Sequence, residues 1–423
     1  MKSKLKKLNG TSRQFDITLS KDRVKEEAAK VLSDIAKEVT IPGFRKGKAP
    51  EDLVYKNYKD DVYDEVKKRI IPLAYQNALE EHKIDPISYP ELSDVAMDKD
   101  GGMSFVAKVD VYPEFKIAKY EGIKINSEKT DVSEKEVTEA IERIQNVYAE
   151  FETVDRPVKK GDFSVCSIEA FVGDKVISKK RDKVWIEANK ESSMLGLGEE
   201  IVGLKVGEAK DIEVDLPADY PDKNYAGKKA MFKVEVKEVR EKKLPQANDE
   251  LAQKLNVESL EKLKEQMKNQ ILETKKNGNQ NKMKAQVAKY LIDKHSFDLP
   301  ETMVRRQLEV LVRNAEEELM RKGVDEKTIM AHKDKLKEQL QKEAENKVKL
   351  YFVLEQISKE EKIEISDDDV DNWLKSVAEH YNKPVDEVKK YYEENDLLGG
   401  VREQLREEKA LDRLIEKAAV TTK

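Results

Sequence analysis

Residues 41–50 read Ile-Pro-Gly-Phe-Arg-Lys-Gly-Lys-Ala-Pro, and the rest of the chain is organised around this stretch. It contains one aromatic residue, three cations, two glycines and two prolines. No acidic residue lies between Glu38 and Glu51, although the whole chain carries a formal net charge of −6. A cationic segment in an acidic protein predicts a loop that a partner outside the chain recognises.

Proline and glycine set the shape of this loop. Pro42 and Gly43 should end the preceding helix, and Pro50 suits the first turn of the next one. We therefore expect Phe44 and Arg45 at an exposed tip, where a phenylalanine cannot belong to the core. An ordinary basic turn between two helices is the alternative interpretation of these residue types.

The spacing of the glycines excludes a phosphate-binding loop. Gly43 and Gly47 have three residues between them where the nucleotide-binding pattern needs four, and no Ser or Thr follows Lys48. The sequence therefore predicts no nucleotide, and no other cofactor is expected.

Composition limits the classes of protein that the chain can belong to. Its 423 residues are enough for about two to four domains. Charged residues make up 39% and hydrophobic residues 38%, a balance that favours exposed helices and an elongated shape over one large core. The net negative charge argues against a general nucleic-acid binder, so any RNA contact should be local, as around Arg45.

Cysteine and histidine usage predicts neither disulfides nor a metal site. Cys166 is the only cysteine, which fits a reducing cytoplasm. The histidines are far apart in sequence and lack HExxH spacing; they are His82, His295, His332 and His380. No apolar region follows the basic N-terminus, and no run approaches the ~18 apolar residues of a membrane span, so we expect a cytoplasmic protein without membrane contact.

Hydrophobic periodicity predicts an α+β region at the start of the chain. Period-two alternation marks strands, and a recurrence of apolar residues every three to four positions marks helices. The predicted elements are a strand at 15–19, a helix at 24–39, a second helix running from Pro50 towards His82, and a hairpin of strands at 92–98 and 103–111.

The middle and end of the chain show two further patterns. An amphipathic helix is predicted from Ser133, with a capping box to Glu136 and an apolar stripe that continues to Phe151; it should pack on C-terminal helices or an adjoining domain. Alternating strands and frequent glycines predict a small β-rich domain from Arg156 to about Val239. The remainder is poor in proline and glycine and is predicted to be all-helical.

Several motifs carry a resemblance to a known family. Gly-Phe-Arg-Lys-Gly-Lys-Ala-Pro at 43–50 resembles the ribosome-docking signature of the bacterial trigger factor family, chaperones that meet nascent chains at the exit tunnel. Residues 203–208 and 216–221 resemble turns of FK506-binding-protein prolyl isomerases, the fold inserted in the middle of that family. Residues 382–392 and 402–411 resemble its C-terminal domain.

The resemblance implies a multidomain α+β protein. It comprises an N-terminal α+β ribosome-docking domain, an inserted β-rich FK506-binding-protein-like domain and an elongated all-α C-terminal domain. The expected boundaries are 1–112 for the docking domain, 113–152 for a linker helix associated with the C-terminal domain, 153–242 for the isomerase-like domain and 243–423 for the helical chaperone domain.

The resemblance also implies partners. They are the large ribosomal subunit near the tunnel exit and nascent or unfolded polypeptides, with no nucleotide, and self-association off the ribosome is a further expectation. The implied ribosome-binding residues are Gly43, Phe44, Arg45, Lys46, Gly47 and Lys48. The alternative is a soluble prolyl isomerase whose helices serve as a dimerisation scaffold, without any role at the ribosome.

Prolyl isomerase activity is implied by the family, but the pocket residue types predict that it is weak or lost. The resemblance places pocket residues at Tyr220, Phe232, Trp185, Met194 and Leu195. It also places Ile168 where an aromatic residue is usual, Ser178 near the usual acid and Leu197 at the pocket floor. Tyr220 and Phe232 can equally be interpreted as ordinary core residues of the β-rich domain.

Overall fold

The computed structural model describes residues 1–42, 44–97, 101–189, 196–217, 220, 222 and 224–422. The chain divides into two compact units. The first contains Met1–Glu128 and Gln280–Lys423, and the second contains Lys129–Asn279. None of the described helices combines the length and the apolar composition that a membrane span requires.

Helices and strands alternate in the N-terminal half, whereas helices dominate after Asp249. The described strands are β1 (Lys2–Lys7), β2 (Ser12–Leu19), β3 (Glu91–Met97), β4 (Met103–Asp110), β5 (Lys124–Ser127), β6 (Glu150–Thr153), β7 (Phe163–Val172), β8 (Lys175–Glu187), β9 (Ala209–Asp215), β10 (Lys229–Lys243) and β11 (Ala419–Thr422). The described helices are α1 (Lys21–Glu38), α2 (Glu51–Asn57), α3 (Lys59–His82), α4 (Glu134–Val147), α5 (Leu197–Glu200), α6 (Asp249–Lys254), α7 (Leu260–Lys294), α8 (Glu301–Arg321), α9 (Glu326–Glu360), α10 (Asp367–Tyr381), α11 (Val385–Glu394) and α12 (Leu398–Glu416).

An antiparallel sheet with helices packed on one face forms the start of the first unit. Its strand order is β1-β2-β4-β3, and the predicted hairpin is confirmed as β3 paired with β4. Residues 98–100 of its turn lie outside the described residues. Alternate residues of β2 and β4 meet α1 and α3 in one core, which includes Phe15, Ile17, Val31 and Phe105. The predicted α+β fold is therefore confirmed.

Two details of this region differ from the sequence prediction. The segment after Pro50 forms two helices, because Tyr58 leaves the helical backbone region and separates α2 from α3. Strand β1 was not predicted, since its lysine-rich sequence is typical of an edge strand and not of a half-buried one.

Helices α8 to α12 and the last part of α7 complete the first unit. A buried cluster joins α7, α9 and α12 through Val287, Leu291, Leu354 and Leu414. The predicted helical C-terminal region is confirmed, and one short strand at its end, β11, pairs in parallel with β5. This pairing joins segments almost three hundred residues apart, which no local pattern reports.

Polar contacts connect the sheet of the first unit to the start of α8. The buried carboxylate of Asp110 accepts hydrogen bonds from the Ser12 hydroxyl at 2.9 Å and from the backbone N–H of Thr302 at 3.0 Å. Thr302 Oγ1 also donates to Asp110, and the Gly10 N–H donates to Asp298 at 2.8 Å. A carboxylate at a helix N-terminus satisfies N–H groups that lack partners within the helix.

The second unit contains a five-stranded antiparallel sheet. Its strand order is β6-β10-β7-β8, with β9 also paired to β10, and the short helix α5 covers its apolar face. The predicted β-rich domain is confirmed. Helix α4 begins at the predicted capping box of Ser133 and Glu136, and Ile141 packs against Ala252 and Leu263 of α6 and α7, as expected. Phe151 was predicted to extend the α4 stripe but lies in β6.

Candidate functional site

The loop between α1 and α2 is anchored at both ends by buried side chains. Ile41 is only 7% exposed, and Val54 is fully buried at the other end. The Phe44 N–H donates to the Ile41 carbonyl at 3.0 Å, which closes a turn, and Pro50 stands at the start of α2. The loop is thus a short, constrained connection with a tip around Phe44.

A second turn follows directly and explains the glycine at position 47. The Lys48 N–H donates to the Arg45 carbonyl at 2.9 Å. Gly47 is the third residue of this turn and has φ +76°, the left-handed value that a type II turn requires there. A Cβ at Gly47 would lie 3.2 Å from the Lys37 carbonyl oxygen, so both the dihedral angle and the space favour glycine.

The tip presents its aromatic and cationic side chains to solvent. Phe44 is 40% exposed, and Arg45, Lys46 and Lys48 are exposed. Within the described part of the chain, these three cations form no ion pair. Gly43 lies outside the described residues. A planar guanidinium, two ammonium groups and an accessible ring suit an anionic surface that also offers a shallow apolar contact.

The residues predicted for the isomerase pocket are distributed over two faces of the sheet. Phe232 lies in the apolar cluster between the sheet and α5, where Ile168 and Leu197 also pack and Tyr220 is partly buried. Phe232 is only 7% exposed, so its ring is covered by neighbouring side chains. Met194 and Leu195 fall outside the described residues.

Trp185 does not belong with Phe232 and Tyr220, which corrects the sequence prediction. Its neighbours Val184 and Ile186 pack in the apolar cluster, so alternation along β8 directs Trp185 to the opposite face. There its ring is 46% exposed and makes edge contacts with Phe151 at 5.7 Å between centroids. The alternation of Val184, Trp185 and Ile186 was the sequence signal that could have shown this.

A cation and a third ring complete this outer aromatic group. The Arg240 guanidinium lies 4.7 Å from the centroid of the Trp185 ring, and Phe163 packs edge-on against Phe151 at 5.0 Å. Arg240 also donates to Glu238 at 2.7 Å. This group was not predicted, because its members come from four strands, β6, β7, β8 and β10, and a single sequence does not report how these strands pair.

The apolar cluster also contains the thiol of Cys166. Cys166 lies on β7 in the cluster that holds Phe232, and it is fully buried. Burial raises the pKa of its thiol to about 12. A thiol that stays protonated and covered is unreactive, so Cys166 has a packing role in the folded domain.

Three stretches of the chain match known protein families. Residues 1–144 match bacterial trigger factor protein, residues 154–237 match FKBP-type peptidyl-prolyl cis-trans isomerase, and residues 259–416 match the bacterial trigger factor C-terminus. A Geobacillus kaustophilus (strain HTA426) protein named trigger factor is 33% identical over 432 residues, covering 99% of this chain and 100% of that protein. The chain belongs to the bacterial trigger factor family.

Other comparisons agree with this family. An Opitutus terrae protein named trigger factor is 32% identical over 437 residues, covering 100% of this chain and 99% of that protein. A solved structure described as "Promiscuous Substrate Recognition in Folding and Assembly Activities of the Trigger Factor Chaperone" covers 98% of this chain and 99% of its own, with 24% identity and a TM-score of 0.53. That likeness concerns the fold. An FKBP-type domain in the middle of a trigger factor chaperone is thus the architecture of this chain.

The helical region of this trigger factor family member contains an open cleft. The cleft lies between α8, α9 and α12 and has a volume of ≈ 770 Å³. Apolar side chains of Met303, Val310 and Tyr351 line it beside the carboxylate of Glu407. Burial, together with Glu403 and Glu408, raises the pKa of Glu407 to about 7. The cleft therefore combines apolar walls with a carboxylate that is easily neutralised.

Proposed function

We propose that the chain is a ribosome-associated, nucleotide-independent chaperone that docks on the large subunit near the tunnel exit and holds nascent chains in an open state. One observation carries the docking proposal. The loop exposes Phe44 together with Arg45, Lys46 and Lys48, and none of these cations has an acidic partner in the described residues. A freely diffusing isomerase has no need of such a tip.

The physical chemistry of the tip suits a ribosomal surface. Phosphates and acidic side chains accept two hydrogen bonds at once from the Arg45 guanidinium, and Phe44 fills a shallow apolar pocket or stacks on a base. Lys46 and Lys48 add an attraction that salt weakens. Because Ile41 and Val54 anchor the loop, little conformational entropy is lost on docking.

Co-sedimentation with ribosomes tests docking. Replacing Phe44, Arg45 and Lys46 with alanine should lower ribosome affinity by about a hundredfold, since an anchor ring and two cations are lost together. The matched control replaces Tyr89, Lys2 and Lys7, which are an exposed ring and two exposed cations elsewhere in the same sheet region. Equal affinity of the docking variant and the control would contradict the proposal and favour the soluble isomerase.

Exposed apolar side chains on the helices support client holding. Met320 and Met330 flank the turn between α8 and α9, and Tyr381 and Tyr391 lie on α10 and α11. Flexible methionines and amphipathic tyrosines in a highly charged background suit transient contact with many unfolded sequences. The cleft beside α12 offers a further apolar surface.

Suppression of aggregation of a denatured test protein measures this activity. Met320→Asp combined with Met330→Asp should reduce suppression several-fold, because the charges remove apolar contact without disturbing buried residues. The control places aspartate at two exposed lysines of α9, Lys335 and Lys342. If both variants suppress aggregation as well as the parent chain does, these methionines do not hold clients.

The FKBP-type domain serves chiefly as an auxiliary peptide-binding module with weak isomerase activity. In support, Phe232 is covered, and aliphatic Ile168 and Leu197 occupy positions where the family resemblance implies aromatic side chains. A proline-limited refolding assay at catalytic concentrations tests this. Acceleration comparable to that of a dedicated isomerase, abolished by Phe232→Leu, would show a working pocket.

A cytoplasmic location follows from docking on ribosomes, and self-association off the ribosome would cover the exposed apolar side chains. Sedimentation velocity over a range of protein concentrations measures self-association. A single concentration-independent species would contradict it.

A further inference from the structure

The two-stranded sheet formed by β5 and β11 has two very different edges. Its strands pair in parallel, with Ala419 opposite Lys124 and Thr422 opposite Ser127. The Ala419 N–H donates to the Ile123 carbonyl at 2.8 Å, and the Gly122 N–H donates to the Lys417 carbonyl at 3.0 Å. These bonds fix the direction in which each main-chain group of β11 points.

The outer edge of β5 is closed by a side chain. Both main-chain groups of Asn126 point away from β11, and the primary amide of Gln286 bonds with both. Gln286 Oε1 accepts from the Asn126 N–H at 2.8 Å, and Gln286 Nε2 donates to the Asn126 carbonyl at 2.8 Å. The glutamine amide thus occupies the place that the peptide group of a third strand would take.

The outer edge of β11 has no such closure. In a parallel ladder, alternate residues direct their N–H and C=O groups to the same neighbour. Ala419 faces β5, so Val420 and Thr422 direct their main-chain groups outwards. No described residue bonds with these outward groups, and all four residues of β11 are exposed.

We propose that the outer edge of β11 binds an extended segment of an unfolded polypeptide by strand addition. This inference rests on the proposed chaperone function and names one site for it. Main-chain N–H and C=O groups at alternating positions match an extended backbone of any sequence, which suits a chaperone with varied clients. Val420, Thr421 and Thr422 are β-branched and favour the extended conformation that the site needs.

The size of the edge favours a transient client over a second copy of this chain. A stable interface between proteins needs about 1,000 Å² of buried surface, which a four-residue strand cannot supply. A few main-chain hydrogen bonds give weak binding that releases its ligand readily. Such binding adds to apolar contacts elsewhere on the helices without trapping the client.

Hydrogen exchange of the full chain tests the site directly. The probe is a short peptide of alternating threonine and valine with a lysine at each end, in three forms. One form is unmodified, one carries N-methyl groups on alternate amides, and one carries them on every amide. The alternately methylated form keeps one complete bonding edge and cannot build larger sheets, whereas the fully methylated form can no longer donate.

The first two peptides should slow exchange of the 419–422 amides, and the fully methylated peptide should not. Val420→Pro removes one outward N–H at an edge position that tolerates proline, and should weaken this protection about fivefold to tenfold. Val420→Ala is the matched control, since it loses the side chain and keeps the main chain. Circular dichroism establishes that both variants fold.

Equal protection by the fully methylated peptide, or no protection by any peptide, would overturn the proposal. Protection that depends on protein concentration without peptide would assign the edge to a second copy and also overturn it. Aggregation suppression by the same preparation separates the two hypotheses. If suppression persists while β11 stays unprotected, only the strand-addition site fails; if suppression is absent as well, the proposed function fails.

Discussion

The loop between α1 and α2 and the apolar cluster of the FKBP-type domain each contain a phenylalanine that the sequence singles out, and the environments of these two rings are opposite. Phe44 is 40% exposed beside three exposed cations, whereas Phe232 is 7% exposed in an apolar cluster. The difference lies in what surrounds them: a constrained tip in one case and a packed sheet in the other.

The two rings illustrate two different roles of an aromatic residue: one is displayed to solvent, where a partner can bind it, and the other packs in a core. A displayed ring contributes little to stability, and beside three exposed cations it suits a partner that offers both negative charge and a shallow apolar contact. A covered ring stabilises the domain whether or not it touches a substrate. We therefore propose the loop as the stronger candidate site, whereas the cluster is first of all a core.

Chemical accessibility gives the largest expected difference between the two regions. Cys166 lies in the cluster with Phe232, and burial holds the pKa of its thiol at about 12. At pH 8 iodoacetamide should alkylate it about a thousandfold more slowly than a cysteine introduced as Phe44→Cys in a Cys166→Ser background. Mass spectrometry over time measures both rates. Comparable rates would mean that the cluster opens readily, and the contrast would be lost.

The same truncation should have very different effects on stability at the two rings. Phe232→Ala leaves a cavity in the core and should lower the free energy of unfolding of the domain by about 3–5 kcal/mol. Phe44→Ala should change stability by less than about 0.5 kcal/mol while weakening ribosome binding. Urea titration with parallel co-sedimentation measures both quantities. A stability loss at Phe44 as large as that at Phe232 would show that the tip is packed.

Backbone shape at the tip can be perturbed without touching its side chains. Gly47→Ala forces a side chain into a left-handed turn and towards the Lys37 carbonyl, and should cost about 1–2 kcal/mol and reduce ribosome affinity about tenfold. Gly122→Ala is the control, because Gly122 also has a positive φ of +71° but nothing lies within 4 Å of its Cβ position. Equal ribosome affinity of the two variants would mean that docking does not depend on the shape of this turn.

Local patterns predicted most of these elements because the relevant physics is local. Alternation along β2, the capping box at Ser133 and the proline at the start of α2 all act within a few residues. The exposure of Phe44 followed from turn chemistry and a lack of nearby acids. The same reasoning failed at Tyr58, where the backbone leaves the helical region between α2 and α3.

Longer-range features could not be predicted in this way. The rings around Trp185 come from β6 and β7, so their meeting depends on strand order and register, which shifts between Cys166 and Ile168 in the pairing of β7 with β8. Irregularities of this kind change which residues share a face, and a single sequence does not report them. The pairing of β5 with β11 likewise depends on the folding of everything between them.

The smallest expected effect tests the corrected position of Trp185. Its ring is 46% exposed and stacks with Arg240 on the face opposite Phe232, so Trp185→Ala should destabilise the domain by only about 1 kcal/mol. Any isomerase activity should stay within about twofold of the parent rate, since the ring does not reach the apolar cluster. Trp185→Phe serves as the control, because it keeps an aromatic ring beside Phe151. Urea titration and proline-limited refolding are measured on the same samples. A loss of activity in Trp185→Ala at unchanged stability would contradict the position of Trp185 on the outer face and would support its original assignment to the isomerase pocket.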